Sequence, residues 1–173
     1  RLHIDGDGVR VEEEGSLHKF VPAVRQVSFN GHLARERGQQ VRYITDRAVF
    51  ELADDGLVLR ADVFRPVKDG CYPVILSYGP YAKGLAFQDG YPSAWQRMAE
   101  KHPDVTAGSS NKYQNWEVVD PEKWVPHAYA CMRVDSRGCG RSPGFIDHFS
   151  PRETRDFYDC IEWAARQPWS SGK

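Results

Sequence analysis

The amino-acid sequence predicts an α/β domain with a mostly parallel central sheet that begins with an antiparallel hairpin. Two apolar runs, residues 72–78 and 128–134, are short enough to be buried strands, and a glycine-containing loop follows each one. A helix with one apolar face follows the second run, as in half of a βαβ unit. Asp-Gly between two earlier apolar runs is a strong hairpin signal.

The hairpin and the strand after it are predicted at residues 49–78. Residues 49–52 form the first strand, Asp54-Asp55-Gly56 the turn, and residues 57–64 the return strand. The next strand, residues 74–78, leads directly into the loop Gly-Pro-Tyr-Ala-Lys-Gly at residues 79–84. Ligands of open α/β sheets bind outside the carboxyl ends of the strands, so the position of this loop makes it a candidate functional site.

The second buried strand leads into a tight loop and then a helix. Residues 135–144 contain three glycines and a proline, which is typical of a tightly folded loop. Ser150 is predicted to cap a helix over residues 152–167, with Pro151 at its first position and Glu153 able to close a capping box. Pro168 ends that helix.

The regions before and between these strands are less regular. Residues 1–38 are polar and are expected to be an irregular extension, with a weak edge-strand pattern at residues 24–29.

Residues 84–119 form a long connection, in which residues 92–100 have helical spacing, and loops of this length are usually functional or lids. Trp116 and Trp124 are candidates for lining a pocket, although a place in the core is an equally good interpretation. A short helix capped by Asp120 is predicted at residues 121–124.

Composition limits the class of partner. The 173 residues carry 23 Lys+Arg against 24 Asp+Glu, and a net charge of -1 argues against nucleic acid or an anionic membrane surface as the main partner. No run is long and apolar enough for a membrane span or a signal peptide. The four cysteines have no C-x-x-C spacing, so we expect reduced thiols in a cytoplasmic protein, with no metal site and no cofactor. Because the first residue is Arg1, we expect an N-terminal piece to be missing.

Residues 140–144, Gly-Arg-Ser-Pro-Gly, match the letters of the G-x-S-x-G nucleophile motif. In that motif the serine lies on a sharp turn directly between strand and helix, whereas here loop residues separate Ser142 from both elements. Pro143 also favours an extended backbone at Ser142. We therefore expect a structural turn. The alternative, with Ser142 as nucleophile, requires an acid and a histidine nearby, and His148 is the only histidine close in sequence.

The order and spacing of two segments resemble those of a known family. These are Pro-Tyr-x-Lys at residues 80–83 and Asp-x-Arg-Gly-x-Gly-x-Ser-x-Gly at residues 135–144. Together they resemble the cocaine-esterase and X-Pro dipeptidyl-peptidase family of serine α/β-hydrolases, which also includes α-amino-acid ester hydrolases and glutaryl-type acylases. The resemblance extends over residues 49–173. It implies that residues 39–173 are the N-terminal portion of an α/β-hydrolase catalytic domain.

The resemblance also implies a chemistry and one site residue. Family members form an acyl-enzyme on a small ester or amide substrate, and the tyrosine of Pro-Tyr-x-Lys donates its hydroxyl to the oxyanion. That role falls on Tyr81. The nucleophile strand and the rest of the Ser-Asp-His triad would follow Lys173, so the chain is expected to be an inactive fragment alone. The alternative function is a non-catalytic α/β binding module. Asp135 and Arg137 are expected to be structural and to pair across their loop, and the oligomeric state stays open.

Overall fold

The computed structural model describes residues 2–5, 8–11, 32–33, 43–51, 55–81 and 83–173. The strands in these ranges are β1 (Leu2–Asp5), β2 (Gly8–Val11), β3 (His32–Leu33), β4 (Tyr43–Glu51), β5 (Val58–Pro66), β6 (Val74–Gly79) and β7 (Ala130–Asp135). The helices are α1 (Phe87–Gly90), α2 (Pro92–Lys101), α3 (Pro103–Thr106), α4 (Pro121–Trp124) and α5 (Pro151–Ala165), and a 3-10 turn spans Val125–His127. No helix among the described residues is long and apolar enough to cross a bilayer.

The main sheet has five strands in the order β3-β4-β5-β7-β6. Strands β4 and β5 form the predicted antiparallel hairpin, and β7 runs antiparallel to β5. Strands β6 and β7 are parallel, as expected for strands joined by a long connection. The mixed α/β architecture and the three predicted strands of one sheet are thus confirmed. Within the described strands, parallel pairing is limited to β6 and β7, the pair whose carboxyl ends carry the predicted site.

The N-terminal extension contains a second, smaller sheet. Strands β1 and β2 pair antiparallel, with Leu2 opposite Val11 and Asp5 opposite Gly8. We expected an irregular extension at residues 1–38, with a weak edge-strand pattern at residues 24–29, so the strands β1 and β2 were not predicted. The edge strand expected at residues 24–29 lies outside the described residues.

Helix α5 packs on one face of the sheet and forms the main core with it. Its start is as predicted: the Ser150 side chain accepts a hydrogen bond from the Glu153 amide at 3.1 Å, with Pro151 at the first position. The Glu153 carboxylate accepts from the Phe149 amide at 2.7 Å, one residue before the cap, and not from the Ser150 amide that the predicted capping box requires. The core residues are buried and apolar: Leu59, Ala61, Val63, Met132, Val134, Cys160, Trp163 and Ala164. Helix α5 therefore shares one buried core with β5 and β7.

The long connection between β6 and β7 covers part of the opposite face. There Phe64, Val125 and Cys131 are buried, with Tyr113 and Val119 packed against them. The predicted helices at residues 92–100 and 121–124 are confirmed as α2 and α4, and the Asp120 carboxylate caps α4 by accepting from the Glu122 amide at 3.0 Å. This connection starts from the loop after β6, and its middle part returns to the same end of the sheet.

Candidate active site

The loops that follow β6 and β7 meet at the carboxyl end of the parallel pair. The last paired residues are Gly79 and Asp135, and the Ser136 amide donates to the Gly79 carbonyl at 3.0 Å. The Arg137 amide donates to the Tyr78 hydroxyl at 3.3 Å. Burial raises the pKa of Tyr78 above its ordinary value, so this phenol stays neutral. The sheet register thus brings together the two segments singled out in the sequence.

Lys83 fastens the loop after β6 to two neighbouring strands. Its backbone amide donates to Asp135 Oδ1 at 2.7 Å. Its Nζ lies 3.1 Å from Asp62 Oδ2 and 3.9 Å from Asp135 Oδ2, and the Lys83 side chain is only 6% exposed. The Arg141 amide also donates to Asp135 Oδ2, at 2.9 Å. A single lysine therefore links its loop to β5 and β7 through two largely buried carboxylates.

Tyr81 lies on this loop with its ring at the edge of an aromatic cluster. The ring is in edge-to-face contact with Tyr91 and Trp116, at centroid distances of 6.2 and 6.5 Å. The Tyr81 carbonyl accepts from Asn115 Nδ2 at 3.5 Å. Its side chain is 37% exposed, and none of the described residues forms a hydrogen bond with its hydroxyl. A hydroxyl held in this way is free to donate to a bound ligand.

A cleft of about 610 Å³ opens beside Tyr81. Three parts of the chain form its walls: the end of β6 with the loop after it, the stretch around Trp116, and the start of α5 with the loop before it. The residues that line it include Ser77, Tyr78, Pro80, Tyr81, Lys83, Asn115, Trp116, Val118, His148, Phe149 and Phe157. Its volume is within the range of sites for small molecules. Trp116 lines this cleft, one of the two roles considered for it, whereas Trp124 is 41% exposed and packs against Tyr129.

Ser142 is a structural residue, as its sequence context predicts. Its side chain is buried, and its Oγ donates to the Asp135 carbonyl at 2.7 Å and accepts from the Arg60 amide at 3.0 Å. The first hydrogen bond holds the loop after β7 to the end of β7, and the second holds it to β5. His148, the histidine closest in sequence, lies 3.4 Å from Glu153 and is exposed. The structure therefore does not assemble the alternative site around Ser142.

The predicted pairing between Asp135 and Arg137 is wrong. Arg137 instead binds Asp156 of α5 through two hydrogen bonds of 2.8 and 3.0 Å, and it also lies 2.8 Å from Asp55. Asp135 binds Lys83 and the Arg141 amide, as described above. Arg152 contacts the same Asp156 carboxylate at 2.8 Å, which completes an ionic network between loop and helix. The two residues therefore have separate structural roles: Asp135 holds Lys83 of the loop after β6, and Arg137 holds helix α5 through Asp156.

Lys83 is the site residue that reasoning from the sequence missed. Its two carboxylate partners are 21 and 52 positions away in the chain, so no local pattern connects them. The one available signal is its place in Pro-Tyr-x-Lys, two residues after Tyr81. Within the described residues, no group of three or more His, Cys, Asp or Glu side chains is arranged to hold a metal ion.

Comparison with known proteins identifies the family. The model of the X-Pro dipeptidyl-peptidase (S15) family matches residues 55–173, so the chain belongs to that family. Cocaine esterase from Rhodococcus sp. (strain MB1 Bresler) is 30% identical over 119 residues, which are 68% of this chain and 16% of the esterase. A CocE/NonD family hydrolase from Staphylococcus aureus superposes with a TM-score of 0.60 at 35% identity, over 76% of this chain and 22% of that one.

A second, shorter similarity is to a different class of enzyme. Acetate CoA-transferase YdiF from Escherichia coli (strain K12) is 47% identical over 59 residues, which are 34% of this chain and 11% of the transferase. That share is too small to show membership of the transferase family. The chain therefore spans between about a ninth and a sixth of the curated relatives described here.

Proposed function

We propose that this chain supplies the oxyanion-stabilising tyrosine, Tyr81, to a serine hydrolase that acts on small ester or amide substrates. One observation carries the proposal: Tyr81 lies at the carboxyl end of the parallel pair, beside an open cleft, and no described residue binds its hydroxyl. Membership of the S15 family and the similarity to a cocaine esterase and a CocE/NonD hydrolase support the class of reaction.

The proposed reaction proceeds through an acyl-enzyme. A serine oxygen attacks the substrate carbonyl carbon, its proton passes to a histidine, and the carbonyl oxygen becomes an oxyanion. The Tyr81 hydroxyl donates a hydrogen bond to that oxyanion, and a backbone N–H next to the nucleophile donates a second one. Collapse of the intermediate expels the alcohol or amine, which takes the proton from histidine. Water then releases the acid by the same steps.

We propose that the triad lies outside residues 1–173, and the two structural hydrogen bonds of Ser142 support this by occupying the serine of the one G-x-S-x-G match. Backbone hydrogen bonds just before β6 support a position for the nucleophile at the end of a strand next to β6. The Tyr72 amide donates to the Trp169 carbonyl, the Ser171 amide donates to the Tyr72 carbonyl, and the resulting bridge is parallel. A strand continuing in this direction would run beside β6 and end next to Tyr81. We therefore propose that the nucleophile follows such a strand.

The shape of the cleft supports a small, partly apolar acyl group as the substrate part nearest Tyr81. Tyr81, Trp116 and Phe157 contribute aromatic surface to its lining, and Lys83 is largely buried in its own ion pairs. An apolar wall with a few hydrogen-bond donors is typical of sites that bind small molecules. This apolar lining is compatible with both ester and amide substrates.

The test uses the full-length protein, an activated p-nitrophenyl ester and a fluorophosphonate that labels reactive serines. We expect turnover, labelling of one serine outside residues 1–173, and a large loss of turnover in Tyr81→Phe. Labelling of Ser142 would contradict the proposal. Absence of both turnover and labelling would also contradict it and would favour a non-catalytic binding module.

A further inference from the structure

We propose that Lys83 is a positioning residue that sets the place of the Tyr81 hydroxyl, an inference that rests on the function proposed above. Lys83 lies two residues after Tyr81, and its side chain reaches Asp62 of β5 and Asp135 of β7. The loop that carries Tyr81 and Lys83 follows Gly79, the last residue of β6. The Gly79 carbonyl accepts a hydrogen bond from the amide of Ser136, directly after β7. Tyr81 is thus held between a strand end on one side and the Lys83 anchor on the other.

The anchor has little freedom to rearrange. The side chains of Lys83, Asp62 and Asp135 are 6%, 15% and 2% exposed, so their charges are largely removed from water. Asp135 is further fixed by the Arg141 amide and by Gly140, where an added Cβ would lie 2.4 Å from the Asp135 carboxyl carbon. Without the ammonium, Asp62 and Asp135 would lose the positive charge that they share, and removing one partner of a largely buried ion pair is strongly unfavourable. The loop would then have to move to relieve them.

The second anchor of Tyr81 is weaker. The hydrogen bond from Asn115 Nδ2 to the Tyr81 carbonyl is 3.5 Å long, at the limit for such a contact. Lys83, by contrast, has an amide hydrogen bond of 2.7 Å and an ion pair of 3.1 Å. Oxyanion donors act only within a narrow geometry, and a displacement of about 1 Å can lower a rate by about 10²-fold. The backbone at Tyr81 is therefore held mainly through Lys83, and its ring packs against Tyr91 and Trp116.

The experiment is a double-mutant cycle between Lys83→Met and Tyr81→Phe in the full-length protein. We expect Lys83→Met alone to lower kcat by about 10- to 100-fold with KM little changed, because it displaces a donor used in the transition state. In the Tyr81→Phe background the same substitution should lower kcat by less than about threefold, because the donor is already absent. Equal losses in both backgrounds would overturn the proposal.

Lys123→Met is the matched control. Lys123 is a partly buried lysine whose Nζ donates to the carbonyls of Asp104 and Val105, at 2.9 and 2.5 Å, away from Tyr81. Its removal should affect stability without any coupling to Tyr81→Phe. If Lys83→Met does not fold, Asp62→Asn takes its place, since it weakens one arm of the anchor and keeps the ammonium. The expected effect is the same in direction and smaller in size.

A spectroscopic measurement separates this proposal from the proposed function. 3-Fluorotyrosine placed at position 81 gives a ¹⁹F resonance whose shift and width report the ring environment without any turnover. Lys83→Met should shift or broaden that resonance, and Lys123→Met should leave it unchanged. An unchanged resonance in Lys83→Met overturns the positioning role. If Tyr81→Phe retains full activity while the resonance still responds to Lys83→Met, the proposed catalytic function fails and the anchoring of Tyr81 by Lys83 stands.

Discussion

Removal of the Tyr81 hydroxyl tests the proposed mechanism most directly. Tyr81→Phe keeps the ring and its edge-to-face contacts with Tyr91 and Trp116, and it removes one hydrogen-bond donor. Loss of a single oxyanion donor lowers kcat by about 10²–10³-fold, or roughly 3–4 kcal/mol of transition-state stabilisation. KM should change little, because the hydrogen bond strengthens only as the oxyanion forms.

The structure also predicts the effect on stability. The hydroxyl has no hydrogen-bond partner among the described residues, so its loss leaves no buried group unpaired there. We expect the free energy of unfolding of Tyr81→Phe to lie within about 0.5 kcal/mol of the parent value. Tyr81→Ala, which deletes a ring that is 37% exposed, should be less stable as well as less active.

The assay measures kcat, KM and melting temperature for the parent, Tyr81→Phe and Tyr81→Ala on an activated ester. Tyr129→Phe is the matched control, because Tyr129 packs against Trp124 and does not line the cleft. Its kcat should equal that of the parent. A Tyr81→Phe enzyme with kcat within a few-fold of the parent would remove Tyr81 from the mechanism.

Two further substitutions and one chemical modification test the structural roles of Ser142, Asp156 and the buried cysteines. Ser142→Ala should lower stability by about 1–3 kcal/mol, because the Arg60 amide loses its acceptor, and should leave serine labelling by a fluorophosphonate intact; loss of the label would refute this. Asp156→Asn should lower the free energy of unfolding, measured with denaturant, by about 3 kcal/mol, because it removes a fully buried charge shared by two arginines. A decrease of less than about 1 kcal/mol would contradict that role. A thiol reagent should modify only the exposed Cys71 in the folded protein and all four cysteines after unfolding, because the other three thiols are buried.

Local signals in the sequence predicted the elements of the fold well. The Asp-Gly turn, the two short apolar runs and the Ser150 cap each depend on residues that are close together in the chain. The structure has the hairpin, β6, β7 and α5 in the predicted order. Strand β4 begins at Tyr43, six residues before the predicted start, and β7 begins at Ala130, two residues after it. Helix α5 ends at Ala165, two residues before the predicted end, and Gln167 and Pro168 lie beyond it. Such signals act over one turn or one strand, so they determine elements and leave side-chain partners undetermined.

The candidate site shows the limit of that reasoning. Tyr81 was found through a resemblance and through its place after a buried strand, both of which can be read along the chain. Lys83 and Arg137 were not interpreted correctly, because their partners come from other elements that only the folded sheet brings close. The carboxylates of Asp62 and Asp135 meet at Lys83 because β5 and β7 are neighbours, and the sequence did not reveal that neighbour relation.

Ser142 shows why a short motif has to be judged by its hydrogen bonds. Its Oγ donates to the Asp135 carbonyl of β7 and accepts from the Arg60 amide of β5, so the hydroxyl binds its loop to two strands and is not directed at a cleft. Gly140 and Gly144 both have positive φ, at 53° and 102°, and a side chain at Gly140 would collide with the Asp135 carboxylate. Gly140 and Ser142 are therefore required by the packing of the loop around Asp135, whereas a side chain at Gly144 would collide with Arg137 and Leu57. The same carboxylate holds Lys83, so the letters that resemble a nucleophile motif serve to support the loop that carries Tyr81.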